Sequence, residues 1–187
     1  AAYREEGRWT VVALPARAVV TAEGFVGSLR QLPGEGGVFG FVCVGDDFFL
    51  LAHTVRDGVR MMISDASALL EWPIAREAAD LIGLEWEEAE VEEFEAAGDV
   101  SLCADFGLDE AELVMICQDD ELYPDEQVRA IAKRLGFAEE FAAALSMSRL
   151  AYDLESVVSP MLAAALLLVV PAAGLFVGTA IGFVASA

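Results

Sequence analysis

VFGFVCVGDDFFLLAHTVRDGVRMMIS, residues 38–64, holds three apolar runs separated by two acidic turns. The runs, Val38–Val44, Phe48–Val55 and Val59–Ser64, are strand-length and rich in Val, Phe and Ile, which suit a pleated surface. Gly45-Asp46-Asp47 turns the chain once, and Asp57-Gly58 is a strong two-residue hairpin signal. Apolar residues follow one another here instead of alternating with polar ones. Such runs belong to strands covered on both faces, or to helices packed on one. The stretch therefore predicts an antiparallel meander.

Upstream, GRWTVVAL predicts a strand at about 8–14, paired with a short strand at the very start. Thr21 can cap a short helix with Phe25, Val26 and Leu29 on one face, ended by Pro33-Gly34. Downstream, Ser64 or Asp65 is placed to cap a helix through Leu69 and Leu70, and a second helix is expected from Ile74 to about Leu84. EWEEAEVEEFE, Glu85–Glu95, carries seven glutamates in eleven residues. Like charges three and four apart repel, so a frayed helix or a disordered acidic linker is expected. After it the pattern turns helical. Asp99 is read as the cap of DVSLCADF, Asp109 as the cap of DEAELVMIC, and Tyr123-Pro124-Asp125-Glu126 as the start of a helix ended by Gly136. A long amphipathic helix is expected from Ala138 to Val158, with Phe141, Leu145, Leu154 and Val158 among its apolar positions. Together these predict an α+β fold: an antiparallel β-meander with packed helices over 1–84, an acidic linker at 85–98, a small helical bundle over 99–158, and an apolar C-terminal helix at 159–187.

The chain has 187 residues and a net charge of -21, and every charge lies at or before Glu155. A surface so acidic repels nucleic acid, whose phosphates are bound through Lys and Arg. It favours a basic partner, a cation, or plain solubility. Cys43, Cys103 and Cys117 match no metal or disulfide spacing and read as buried free thiols in a reducing compartment. The opening AAYREEGRW is charged at once and lacks the apolar core of a signal peptide.

The 32 uncharged residues after Glu155 are enough for one membrane crossing, which takes roughly 20 apolar residues. Within them Gly174, Gly178 and Gly182 share one helical face, where small residues let two membrane helices approach closely. This makes a candidate homodimer face. The expectation is an acidic domain in the cytoplasm, tethered by this helix to the inner face of the membrane. The competing reading folds the tail back on the domain.

The order of elements resembles a known family. VFGFVCVGDDFFLLAHTVRDGVRMMISDASA, an acidic spacer, and then GDVSLCADFGLDEAELVMICQDDELYPDEQVRAIAKRLGFAEEF are similar to the tRNA adenosine deaminase-associated proteins of actinobacteria, over roughly residues 1–145. The resemblance implies an accessory protein linked to tRNA modification and no defined catalytic residues. Its implied partner is a tRNA adenosine deaminase, and the net charge adds the expectation that the partner presents a basic surface.

No residue pattern argues for catalysis. A zinc deaminase needs an H-x-E…P-C-x-x-C arrangement, and the chain has one histidine, His53, inside an apolar strand. The glycines of PGEGGVFG come after a helix and before a strand, the reverse of a dinucleotide fingerprint, and read as a connecting loop. Asp46-Asp47 and Asp119-Asp120-Glu121 lack the alternation of a calcium loop and read as solvated turns. No cofactor or metal is expected. The candidate partner-binding residues are Trp86, Glu87, Glu88 and Phe94, with the aromatic rings as anchors among the glutamates.

Overall fold

The computed structural model describes residues 1–146 apart from Asp57 and Glu93. The apolar helix expected at 159–187, with Gly174, Gly178 and Gly182, lies outside the described residues, as does the end of the helix expected to reach Val158. Contacts divide the chain into two units, Ala1–Ala144 and Leu145–Ala187, and everything below belongs to the first. No helix among the described residues is long and apolar enough to cross a membrane.

Six strands form one antiparallel sheet: β1 (Ala2–Glu5), β2 (Arg8–Val11), β3 (Val38–Val44), β4 (Phe48–Val55), β5 (Gly58–Ile63) and β6 (Ala97–Gly98). Their spatial order is β2-β1-β3-β4-β5-β6. The expected meander is β3-β4-β5, with Cys43 opposite Phe49 and Leu51 opposite Met62. The opening strand also forms, and it pairs with both β2 and β3.

Side chains alternate along a strand, so a strand buried on both faces must feed two cores. In β4, Phe48, Leu50 and Ala52 enter one core, and Phe49 and Leu51 enter the other. This explains why β4 is an unbroken apolar run. The first core lies under α1 (Ala22–Leu29), α2 (Ala68–Glu71) and α3 (Pro73–Ile82), which bring Phe25, Leu29, Leu69, Ala75 and Ala78. Thr21 caps α1, its Oγ1 accepting from the Gly24 N–H at 3.1 Å. The Glu77 carboxylate of α3 accepts from the Ala22 N–H at 2.9 Å, placing a negative charge at the positive end of α1. The second core lies under α4 (Glu110–Cys117) and α5 (Pro124–Leu135), with Leu102, Cys103, Leu108, Leu113, Ile131 and Phe137. Residues 138–144 are helical, and Phe141 packs against Phe41 and Phe137.

Several local expectations are corrected. The Ser64 hydroxyl is taken by the Phe49 N–H at 2.9 Å and Asp65 accepts from the Ser67 N–H at 2.8 Å, so α2 begins only at Ala68. Asp99 caps no α-helix. Its carboxylate is held by Arg60, Nε at 2.5 Å and Nη2 at 3.1 Å, and only a 3-10 turn at Ala104–Phe106 follows. The arginine holds the Asp99 carboxyl below the usual carboxylate range. Half-exposed pairs are screened by water, so Asp99→Ala should cost about 1 kcal/mol or less by urea denaturation. Cys103 and Cys117 are buried, which pushes both thiols up to about 12, but Cys43 is exposed.

Among the described residues of 85–95 there is no α-helix: one 3-10 turn at Glu88–Glu90 lies between irregular stretches. The Ala66 N–H donates to the Glu95 carbonyl at 2.6 Å, and Ala97 and Gly98 then pair with Ile63 and Met62. The acidic segment thus carries the chain from α3, on one face, round the β5 edge to Leu102, on the other.

Candidate functional site: an acidic cleft

Two acidic stretches far apart in the sequence, Asp46-Asp47 and Asp119-Asp120-Glu121, meet in space. Asp46 and Asp47 close the β3-β4 turn, Asp65 follows β5, and Asp119, Asp120 and Glu121 lie between α4 and α5. All six line one cavity of about 240 Å³, with no Lys or Arg in its wall. Each segment is fixed by its backbone. Asp47 N–H donates to the Val44 carbonyl at 3.2 Å. The Asp119 side chain accepts from the Glu121 N–H at 3.1 Å. Buried Gln127 donates through Nε2 to the Cys117 and Asp119 carbonyls at 3.1 and 3.2 Å, tying the α4-α5 loop to α5. The Glu126 carboxylate accepts from the Tyr123 N–H at 3.1 Å, which fixes the start of α5.

Two rings stand at this cleft. Phe94 is 51% exposed and Tyr123 60% exposed, and both line the cavity. Phe94 sits at φ 60, a left-handed conformation that is uncommon for a side chain of its size. Exposed aromatics beside carboxylates can take the alkyl stem of a lysine or arginine while the acids take its charge. Of the other candidate residues, Glu87 and Glu88 are exposed, and Trp86 is half-buried against the first core. Phe94 therefore joins the cleft, whereas Trp86 braces the acidic segment on the other layer. The sequence alone did not show that Asp46-Asp47 and Asp119-Asp120-Glu121 face each other. Their common spacing from strand and helix ends was the only available hint.

Among the described residues, no group of three or more His, Cys, Asp or Glu is placed to hold a metal ion. His53 stands apart from the cleft. It is 4% exposed, stacked on Phe39 with ring centroids 4.2 Å apart and edge-on to Phe106. Neither ring nitrogen reaches a partner at hydrogen-bond geometry. Burial lowers its pKa, the Gly36 backbone partly opposes this, Arg60 lowers it further, and Asp105 opposes. With the folded pKa below the unfolded value of about 6.5, the unfolded chain binds more protons between the two. The stability from a neutral His53 is therefore complete above about pH 6.5 and is lost as the pH falls through the folded pKa. Urea midpoints at about pH 7.5 and about pH 5 should show this loss, and His53→Gln should flatten the difference. An equal slope in the variant would assign the acid sensitivity to other groups.

The sheet clad on both faces and the carboxylate-lined cleft define an acidic α+β sandwich protein. Its sequence places it further: the chain belongs to the Rv3753c-like tRNA adenosine deaminase-associated protein family, whose pattern it matches over residues 1–138. It is 36% identical over 147 residues to Protein Rv3753c of Mycobacterium tuberculosis, covering 78% of this chain and 85% of that protein. No solved structure matches the chain. The family description is of a protein associated with the deaminase, not of the deaminase itself.

Proposed function

We propose that the protein is a non-enzymatic accessory factor of a tRNA adenosine deaminase, acting in the cytoplasm by receiving a basic segment of that enzyme in the acidic cleft. The observation that carries this reading is the meeting of six carboxylates and two exposed rings in one cavity, without a compensating base. The net charge of -21 speeds the encounter with a basic surface and makes it salt-dependent. The same charge argues against direct contact with the tRNA. Phe94 and Tyr123 supply the apolar anchor, Glu87 and Glu88 add exposed negative charge to the segment that leads to Phe94, and Trp86 holds that segment on the first core.

Pull-down and calorimetry with the cognate deaminase test this. Binding should weaken steadily with salt, and the double reversal Asp119→Lys with Asp120→Lys should weaken it at least tenfold (about 1.4 kcal/mol). Phe94→Ala should have a similar effect with the fold intact. No binding at low salt, or full binding by both variants, would remove the proposal.

A second reading rests on the uncharged tail. It makes the chain a membrane-anchored structural or regulatory module that self-associates through Gly174, Gly178 and Gly182. Cell fractionation decides: recovery of the full chain as a monomer in the soluble fraction would end it.

A further inference from the structure

At the other end of β3 and β4 the chemistry reverses. There a groove of about 450 Å³ runs between the end of α1, the loop Gly34–Gly37 and the end of β4, and Arg30 and Arg56 both line it. The chain has 32 acids and only 11 bases, so two arginines lining one groove stand out. Arg60, Arg129 and Arg134 each pair with an acid, Arg76 donates to two backbone carbonyls, and Arg4 lies over the Trp9 ring. The exposed Arg30 and Arg56 side chains make no ion pair or hydrogen bond among the described residues; those of exposed Arg8 and Arg17 make none either, but Arg30 and Arg56 are brought together in one groove. Glu35, the one acid in the wall, pairs with neither.

The loop between them lies close against itself and against β4. A Cβ on Gly34 would lie 2.4 Å from the Gly37 carbonyl oxygen, and one on Gly37 would lie 2.0 Å from that of Thr54. The Glu35 N–H is anchored on the Arg4 carbonyl at 3.2 Å, while the Gly36 N–H donates to no carbonyl among the described residues. Two free guanidinium groups and a free amide on a fixed glycine loop form a donor set matched to an oxyanion.

We propose that this groove binds the phosphate group of a small phosphorylated molecule. Guanidinium forks engage phosphate oxygens in pairs, and a phosphate monoester carries nearly two negative charges to match two arginines. The groove has the volume of a small-molecule site. The acidity of the remaining surface keeps out a long polyanion, so the ligand is a single phosphorylated compound and not a nucleic acid strand. This site is separate from the cleft assigned to the deaminase, and neither assignment depends on the other.

The test is an amide-resolved NMR titration of the full chain with inorganic phosphate and with AMP, using citrate as the carboxylate control. Saturable shifts are expected at Gly36, Gly37, Val55 and Arg56, and AMP binding more tightly than phosphate would show that the groove also holds the rest of the molecule. Arg30→Gln and Arg56→Gln should each weaken binding about tenfold. Glu35→Gln should strengthen it by removing the one negative charge in the wall, while saturation and the citrate control separate a built site from non-specific ion binding. All three positions are exposed, so the thermal midpoint should hold and deaminase binding should be unchanged. Absence of saturable shifts with both phosphate and AMP, an unaltered response in the double arginine variant, or equal affinity for citrate would overturn the proposal.

Discussion

Phe49→Ala should lower the free energy of unfolding by about 3–5 kcal/mol, the range for removing a fully buried ring. Phe49 is completely buried in the second core, opposite Cys43 on β3, and its N–H is fixed by the Ser64 hydroxyl. The void could not close easily, because β4 is held by β3 and β5 on its edges and by the first core beneath. A domain of this size is stable by only about 5–15 kcal/mol, so the loss is a large share of the total. Urea denaturation followed by circular dichroism gives the value. A loss under about 1 kcal/mol would show that α4 and α5 do not load this face of the sheet as described. Leu50→Ala, directed into the first core, should cost about 2–5 kcal/mol by the same argument.

Gly37→Ala is expected to be comparably damaging although it adds a single methyl. The residue has φ 99, a conformation that side chains rarely adopt, and its Cβ would stand 2.0 Å from the Thr54 carbonyl oxygen and 2.6 Å from His53 Nε2. Backbone strain and forced separation of the loop from β4 together should cost about 2–4 kcal/mol. Gly36→Ala is the control, since a Cβ there meets nothing within 4 Å. A Gly37→Ala protein as stable as the Gly36→Ala protein would mean that the loop does not lie against β4.

The sequence made the centre of the fold legible because that centre is governed by local chemistry. Val38–Val44 and Phe48–Val55 are strands in the structure over the residues their apolar runs mark. The caps Thr21 and Asp109 are where short polar side chains precede helical patterns. What failed was decided by distant partners. Asp99 has the look of a helix cap, but Arg60, 39 residues away, takes its carboxylate. Ser64 was lost as a cap to the backbone of Phe49 on the neighbouring strand. The cleft was illegible for the same reason: Asp46, Asp65 and Asp119 become neighbours only once three connections end at one rim of the sheet. The family resemblance was legible because it rests on the order of many modest signals.

The route of the acidic stretch around the β5 edge makes it the only covalent strap between the two halves of the sandwich among the described residues. Protease nicking near Ala89 would therefore yield two fragments, one with five strands and their helices, the other with β6, α4 and α5. Because the severed surfaces match across an entire apolar sheet face, the fragments should stay together after the cut and reassemble when produced as separate polypeptides.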